Sequence, residues 1–283
     1  MTRYLIAGAG GMLGRDLQRA LEGREVRALT RAELDITDAS SVADAVRGID
    51  VVINAAAYTA VDAAESDEDT AFAINATGAG NLARAAADAG ARIVQLSTDY
   101  VFRGDADAPY PEDAPLDPLG AYGRTKAAGE RMVREAHPAP HLVRTAWLYG
   151  EHGASFPRTM LRLASERETV EVVTDQLGQP TWTLDLANAI VALLDADAPA
   201  GSYHGTNAGT ATWFDLARAT FALAGLDPER VLPTDSASFV RPAPRPSFSV
   251  LGHDAWAAAG LAGPRPWDEA LAAAFADGAF ASR

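Results

Sequence analysis

A glycine-rich stretch close to the N-terminus, between an apolar strand and a helix, constrains the fold most. Arg3–Ala7 is a short apolar run, and residues 15–21 continue with a helical pattern. The glycines between them are Gly8, Gly10, Gly11 and Gly14. Because glycine has no side chain, this stretch permits a tight turn and lets a diphosphate reach backbone N–H groups at a helix start. It predicts a dinucleotide-binding turn, with a purely structural turn as the alternative.

Strands and helices alternate along the chain after this turn. The predicted elements are strand Glu25–Leu29, helix 40–47, strand 50–56, helix 66–89, strand 92–96, a helix that contains Tyr122 and Lys126, and strand 141–149. Residues 103–118 are rich in proline, aspartate and glycine and are predicted to form a loop. The alternation predicts an α/β fold with a doubly wound parallel sheet of the Rossmann type.

The pattern loosens beyond residue 149. We predict helices at 156–167, 183–194 and 213–224, strands at Val170–Val173 and 201–207, and an extended proline-rich loop at 241–246. The strand at 201–207 is expected to rejoin the sheet. The predicted division is a dinucleotide-binding domain over 1–149, rejoined by 183–220, and a smaller C-terminal substrate-binding domain formed by 150–182 and 221–283.

The acidic composition limits the partners. A formal net charge of −14 and a pI near 4.7 argue against binding to nucleic acid or to an anionic membrane surface. The chain has no cysteine, and its five histidines lack ligand spacing, so we assign no metal ligands. The N-terminus lacks a signal-peptide pattern, and no apolar stretch approaches the ~20 residues of a spanning helix. We therefore expect a soluble, cytoplasmic protein.

The residues after the second strand bear on the choice of cofactor. In a dinucleotide fold, an acid there would bind the ribose 2′-hydroxyl, and an arginine would accept a 2′-phosphate. This sequence has Thr30-Arg31 and no acid, which favours NADPH over NADH, although NADH remains an alternative and Arg31 could be a solvated loop charge. Asp35 and Ile36 follow where an adenine could pack. Small residues after the third strand, in the segment Asn54-Ala-Ala-Ala-Tyr-Thr59, would let a flat cofactor approach the backbone.

Tyr122 and Lys126 are the strongest candidates for proton transfer. Their four-residue spacing places both side chains on one face of a helix, for which Asp117 is the predicted N-cap. A phenol ionises near pH ~10, and a neighbouring ammonium would lower that pKa. The pair would thus form a tunable proton donor. The alternative is a half-buried tyrosine above a surface lysine that pairs with Glu130.

Polar residues at two other positions complete the candidate site. Ser97, Thr98 and Asp99 follow the fourth predicted strand, where parallel sheets place their ligands. Asn75 lies inside the long predicted helix, where a polar amide is mildly unfavourable. It is predicted either to be solvated or to hold a water near the site.

Together these segments resemble the extended short-chain dehydrogenase/reductase superfamily, and within it the dTDP-4-dehydrorhamnose reductase family. The similarity runs through the first two-thirds of the chain and is looser beyond, where it rests on Tyr203-His204 and the 241–246 loop. The matching segments are Gly8-Ala-Gly-Gly-Met-Leu-Gly14, Asn54-Ala-Ala-Ala-Tyr-Thr-Ala-Val-Asp62, Ser97-Thr-Asp-Tyr-Val-Phe102, Tyr122-Gly-Arg-Thr-Lys126, Arg144-Thr-Ala-Trp147, Thr159-Met-Leu-Arg-Leu163 and Asp175-Gln-Leu-Gly-Gln-Pro-Thr181.

The resemblance implies roles for individual residues. Tyr122 would be the proton donor, Lys126 would bind the nicotinamide ribose, and Thr98 would replace the usual serine that bonds the substrate carbonyl. Asp99 and Trp147 would contact the sugar, although Trp147 could instead be a core aromatic. The residues implied to lie along the cofactor are Gly8, Gly10, Gly11, Met12, Leu13, Gly14, Arg31, Asp35, Ile36, Ala56, Ala57, Tyr58, Thr59, Leu96, Tyr122 and Lys126.

The resemblance also implies a reaction: NADPH-dependent reduction of the 4-keto group of a dTDP-4-keto-6-deoxy-L-sugar. The substrate diphosphate would need local cations in so acidic a protein, and Arg241 and Arg245 are the candidates, unless their loop is only a surface crossing. Another nucleotide-sugar enzyme, such as an epimerase, and a non-catalytic NADP-binding regulatory subunit are the alternatives.

The oligomeric state is left open at this point. Some family members dimerise through a magnesium site that includes an acid beside the third motif glycine. Asp16 stands near that position here. A homodimer and a bound Mg²⁺ therefore remain open, although no residue is assigned as a metal ligand.

Overall fold

A parallel β-sheet forms the centre of the fold. The computed structural model describes residues 1–281. Its largest sheet has the strand order β2-β1-β3-β4-β5-β10, and every neighbouring pair in it is parallel. These strands are β1 (Arg3–Ala7), β2 (Glu25–Leu29), β3 (Val51–Asn54), β4 (Arg92–Thr98), β5 (His141–Thr145) and β10 (Gly201–His204). The predicted α/β fold with a doubly wound parallel sheet is confirmed.

Helices cover both faces of this sheet. The helices of the described chain are α1 (Met12–Ala20), α2 (Ala39–Val46), α3 (Val61–Ala64), α4 (Glu68–Phe72), α5 (Ala79–Asp88), α6 (Ala121–Ala136), α7 (Phe156–Glu166), α8 (Thr183–Asp195), α9 (Trp213–Leu223), α10 (Asp254–Ala258) and α11 (Trp267–Ala276). One face packs Ile6 and Ile53 against Leu17 of α1 and Ile190 of α8. The other face packs its strand residues, among them Leu5, against α2 and α5. The central strands are therefore buried on both sides, which explains their continuous apolar runs.

Segments from the carboxyl half of the chain form a smaller unit. Its short strands are β6 (Leu148–Tyr149), β7 (Val170–Val173), β8 (Leu177–Gly178), β9 (Thr181–Trp182), β11 (Ala211–Thr212) and β12 (Val231–Thr234). In its core, Met160 of α7 packs with Val170 and with Phe221 of α9. In contrast, Trp256 of α10 packs into the core of the large sheet. In residues 1–281, none of the helices has both the length and the apolar composition needed to span a bilayer.

The predicted helix over 66–89 is present as one helical run over 68–88, but the sequence did not reveal the π-helical turn inside it. The run consists of α4, the π-helical turn at Ala73–Gly78 and α5, and the short helix α3 precedes it. The turn directs the Asn75 side chain inward, where its Oδ1 accepts a hydrogen bond from Tyr58 N at 2.9 Å and its Nδ2 donates to Tyr58 O and to Thr125 Oγ1. Asn75 is therefore buried and fixes the segment after β3 to helix α6. The side-chain bonds replace the regular helical geometry at this point.

The predicted strand over 141–149 is divided in two at Trp147. Trp147 has φ of 46°, in the left-handed region that most residues avoid. Its indole stacks on Trp213, with ring centroids 3.6 Å apart and an interplanar angle of 8°. A Cβ at Gly178 would lie 2.5 Å from the Trp147 ring, so only glycine leaves room there. The stacking therefore compensates for an unfavourable backbone conformation that the sequence pattern does not reveal.

The predicted N-cap of the catalytic-candidate helix is also wrong. Helix α6 begins after Gly120, and Asp117 forms an ion pair with Arg103 at 3.1 Å. The cap comes from a distant residue, because Glu65 Oε1 accepts a hydrogen bond from Ala121 N at 2.8 Å. The carboxylate also suits the positive end of the helix dipole. Contact between segments 56 residues apart thus sets the start of this helix.

Gly129→Ala tests the close packing of α6 against the π-helical turn. A Cβ at Gly129 would lie 2.1 Å from Asn75 O, so backbone must move. Alanine is the better helix former by about 1 kcal/mol, but the clash should outweigh this and lower the free energy of unfolding by about 1–3 kcal/mol. The matched control is Gly263→Ala, where no atom lies within 4 Å and φ is not positive. Urea denaturation of both variants is the measurement, and a Gly129→Ala protein more stable than the parent would contradict the packing.

Candidate functional site

Helix α6 carries both candidate proton-transfer residues into the interior. Lys126 is 3% exposed, and its Nζ donates to Leu96 O, near the end of β4, at 2.6 Å. Tyr122 is 9% exposed and packs among Tyr58, Val61 and Tyr100. The alternative of a surface lysine that pairs with Glu130 is therefore wrong, because Glu130 pairs with Arg144.

Lys126 is the only lysine in the sequence, which otherwise uses arginine for its cations. Burial lowers its pKa from 10.5 to about 8, while the negative charge of Glu130 opposes this shift. An arginine could not titrate in this range. The fold thus holds a single side-chain amine, and its charge can change close to neutral pH.

Tyr122, Thr98 and Asp99 are neighbouring buried polar side chains. Thr98 Oγ1 donates to Asp99 Oδ1 at 2.8 Å, and Thr98 also interacts with the Tyr122 hydroxyl. Burial raises the pKa of Asp99 to about 6, although the interactions with Ser249 and Thr98 oppose the shift.

The expected lowering of the Tyr122 pKa by Lys126 is wrong for this structure. Burial raises the Tyr122 pKa above its ordinary value of 10, and the nearby Asp99 carboxylate and Tyr100 push it the same way. The hydrogen bond with Thr98 opposes burial without overcoming it. Tyr122 is therefore a protonated phenol at neutral pH, the form that can donate a proton.

A cavity of about 770 Å³ lies at the glycine-rich turn. The predicted cofactor residues that line it are Gly8, Gly10, Gly11, Arg31, Asp35, Ile36, Ala56 and Ala57. A Cβ at Gly8 would lie 2.6 Å from Ala56 N, and the Gly8 φ is +84°, so only glycine brings the turn this close to the segment after β3. No side chain caps α1 at Gly11, which leaves its first-turn N–H groups for an anion. The size and the lining fit a dinucleotide.

The remaining predicted cofactor residues do not line this cavity. Leu13 is buried in the sheet core, and a Cβ at Gly14 would lie 2.3 Å from Gly8 O, so both support the turn from behind. Leu96 contributes the carbonyl that binds Lys126, and Tyr58 is held through its backbone by Asn75. The others outside the lining are Met12, Thr59, Tyr122 and Lys126. Lining residues that the sequence did not reveal include Asp69, Thr70, Ala73 and Ile74, which lie on α4 and the π-helical turn.

A second cavity of about 700 Å³ lies between the sheet and the smaller unit. Of the predicted substrate residues, Trp147, Arg241 and Arg245 line it, whereas Thr98 and Asp99 are buried behind Tyr100. The Tyr100 ring lines the cavity and meets the Tyr122 ring edge-on, with centroids 5.7 Å apart. Aromatic residues that the sequence reasoning missed in the lining are Phe156, Trp213 and Phe239. The proton donor candidate thus lies one ring away from this cavity.

One of the two candidate arginines already has a carboxylate partner. Arg245 Nη2 donates to Asp62 Oδ1 at 2.8 Å, and this contact ties the 241–246 loop to α3. Arg245 Nη1 is buried and has no hydrogen-bond partner among residues 1–281. The exposed Arg241 lines the same cavity. The cavity thus offers cationic donors next to its aromatic wall.

Asp16, the acid beside the third motif glycine, is buried and accepts a hydrogen bond from Thr183 Oγ1. Burial raises its pKa, while the hydrogen bond from Thr183 opposes the shift. Within the described part of the chain, no group of three or more His, Cys, Asp or Glu side chains is arranged to hold a metal ion. Asp16 serves here to join α1 to α8.

Comparison with known proteins agrees with this geometry. The family model described as the RmlD substrate binding domain matches residues 2–279. The dTDP-4-keto-6-deoxy-D-glucose reductase of Streptomyces niveus is 51% identical over 96% of both chains, and the dTDP-4-dehydrorhamnose reductase of Streptomyces griseus is 51% identical over 96% of this chain and 93% of its own. The crystal structure of the Bacillus anthracis dTDP-4-dehydrorhamnose reductase in complex with NADP is 40% identical, covers 98% of this chain and 100% of its own, and has a TM-score of 0.94.

The parallel sheet, its glycine-rich turn and the Tyr122/Lys126 helix define an oxidoreductase of the extended short-chain dehydrogenase/reductase class. Within this class, the chain belongs to the dTDP-4-dehydrorhamnose reductase family. It is thus an NAD(P)H-dependent enzyme of nucleotide-sugar metabolism.

The single lysine makes its pKa directly measurable. Protein labelled with ¹³C-lysine should give one side-chain Cε resonance, because Lys126 is the only lysine. We expect that resonance to titrate with a midpoint of about 8, since burial disfavours the charged amine. The control is the same titration in denaturant, which should return the midpoint to about 10.5. A native midpoint at the ordinary value would contradict the buried position of the amine.

Proposed function

We propose that this protein reduces the 4-keto group of dTDP-4-dehydrorhamnose to give dTDP-L-rhamnose, with NADPH as the cofactor. The observation that carries the proposal is the buried group of Tyr122, Thr98 and Asp99, on or beside the helix that carries Lys126 and one ring away from the second cavity. One cavity fits a dinucleotide, and the other offers aromatic and cationic groups to a nucleotide sugar. The names of the relatives support the same substrate class.

In this proposal Tyr122 donates the proton to the carbonyl oxygen that is reduced. Tyr122 is a protonated phenol at neutral pH, and Thr98 is the polar side chain that interacts with its hydroxyl. Bound NADPH supplies the hydride. Donors aimed at the oxygen as negative charge grows on it typically contribute ~3 kcal/mol each. Lys126, held on Leu96 O, places a positive charge on the same helical face and would bind the nicotinamide ribose.

The preference for NADPH rests on the cavity end near Arg31. Arg31 and Asp35 line this cavity, and Glu33, which does not, accepts hydrogen bonds from Thr30 N at 2.8 Å and Thr30 Oγ1 at 2.7 Å. An arginine at this position suits a 2′-phosphate better than a free 2′-hydroxyl. The NADP complex of the Bacillus anthracis relative supports the same choice.

The sugar nucleotide is assigned to the cavity between the sheet and the smaller unit. Its aromatic wall consists of Trp147 stacked on Trp213, with Phe156 packed against Trp213. Arg241 and the free Nη1 of Arg245 are the donors assigned to the diphosphate. Asp99 is buried behind Tyr100 and accepts a hydrogen bond from Thr98. We therefore assign it to the positioning of Thr98 and not to contact with the sugar.

Tyr122→Phe tests the assigned proton donor. The variant loses only the hydroxyl, so kcat with NADPH and dTDP-4-dehydrorhamnose should fall by about 10²–10⁴-fold while NADPH binding stays near the parent value. Loss of reduced-nicotinamide absorbance measures the first, and NADPH fluorescence measures the second. Tyr4→Phe is the matched control, since the Tyr4 hydroxyl accepts a hydrogen bond from the distant Arg24. Retention of more than a few per cent of the parental rate would rule out Tyr122 as the donor.

The same assay separates the alternatives. An epimerase would copurify with tightly held NAD and would not consume NADPH. A regulatory subunit would bind NADPH and oxidise none of it with either dTDP-4-dehydrorhamnose or dTDP-4-keto-6-deoxy-D-glucose. Parallel reactions with the two sugars decide which of the two relatives' named substrates this protein takes.

A further inference from the structure

A buried ion pair lies one helical turn beyond Lys126. Glu130 follows Lys126 by four residues on α6, so their side chains share a face. Its two carboxylate oxygens accept from Arg144 Nε and Nη2, each at 2.8 Å. The side chains of Glu130 and Arg144 are 1% and 2% exposed. A bidentate pair this deeply buried is costly to desolvate, so it calls for a role beyond stability.

Arg144 also contacts the segments that surround the candidate site. Its Nη1 donates to Glu112 O at 2.9 Å, in the loop before α6, and lies 3.3 Å from His204 Nε2 at the end of β10. The guanidinium lies 4.9 Å from the ring centre of Phe102. Arg144 itself pairs in register with Ser97, directly before Thr98. The Arg144 guanidinium on β5 therefore links this strand to α6, to β10 and to the loop before α6.

Glu130 also acts on Lys126 through its charge. Lys126 forms no ion pair with any residue of the described chain, although its side chain is buried. The Glu130 carboxylate favours the charged form of this amine and opposes the effect of burial. The titratable and charged groups around Lys126 and the pair are Tyr122 and Glu130 on α6, Asp99 after β4, Arg144 on β5 and His204 on β10.

We propose that Glu130 and Arg144 form a positioning pair for the sole lysine: the pair holds α6 against β5, and the Glu130 carboxylate keeps the Lys126 amine charged in a dry site. The functional role of this pair rests on the proposed reductase function, but the effect of the pair on the Lys126 amine does not. Glu130 lines neither cavity, so any effect it has on the site passes through Lys126 and Arg144.

The test follows the single ¹³C-lysine resonance of each variant with no substrate or cofactor added. Glu130→Gln removes the charge while it keeps the side-chain shape, and the Lys126 midpoint should move down by roughly one pH unit. Glu130→Asp retains the carboxylate and should keep the midpoint close to the parent. Glu135→Gln is the matched control, because the same substitution at an exposed position of α6 should leave the midpoint unchanged.

A purely structural pair would give a different result. In that case Glu130→Gln would lower stability and leave the lysine midpoint where it was, which would overturn the proposal. If Glu130→Gln does not fold, the double variant Glu130→Gln/Arg144→Met removes both charges and leaves none unpaired. Its midpoint should also move down, since the nearer carboxylate has the larger effect on the amine. An unchanged midpoint there would likewise overturn the proposal, whether or not the protein reduces any sugar.

Discussion

The structure depends on the contact between Lys126 Nζ and Leu96 O, which holds helix α6 against β4 from inside the protein. An amine that donates to a main-chain carbonyl in a dry site is directional and hard to replace, because no water can take over the bond. It fixes Tyr122, one turn earlier on the same face, next to Thr98 at the end of β4. The proton-transfer group is therefore built from one strand end and one helix.

The two cavities are best described by their positions relative to this contact between α6 and β4. The glycine-rich turn after β1 and the segment after β3 form one of them at the carboxyl edge of the parallel sheet. This is where open α/β sheets bind their ligands. The smaller unit contributes the wall of the other through Trp213 and Phe156. Tyr100 lies between that wall and Tyr122, so the smaller unit and the sheet meet close to the proposed proton donor.

Local sequence signals predicted the sheet, the turn and the Tyr122/Lys126 face, because these depend on patterns within a few residues. The errors occur where distant contacts decide local structure. Asn75 lies in a π-helical turn inside the predicted helix and bonds to Tyr58 and Thr125, and Glu65 caps α6 in place of Asp117. Trp147 leaves the strand conformation because Trp213 stacks on it. None of these partners can be read from neighbouring residues.

The direction of the Tyr122 pKa shift was the other property that the sequence could not decide. Spacing alone shows that an amine lies near a phenol, and it predicted a lowered phenol pKa. Burial of Tyr122 and the nearby Asp99 carboxylate instead raise that pKa, so the phenol keeps its proton. The direction of the pKa shift depends on how far water is excluded from the site, and this depends on the packing of the whole fold.

The most direct measurement is the ionisation state of Tyr122 itself. Protein labelled with ¹³C at the tyrosine ring carbon that bears the hydroxyl can be titrated by NMR, and the Tyr122→Phe spectrum identifies the signal. The account predicts that this signal remains that of a phenol beyond pH 10, since burial raises the Tyr122 pKa above that value. A signal that has already moved to the phenolate position by pH 8 would contradict it.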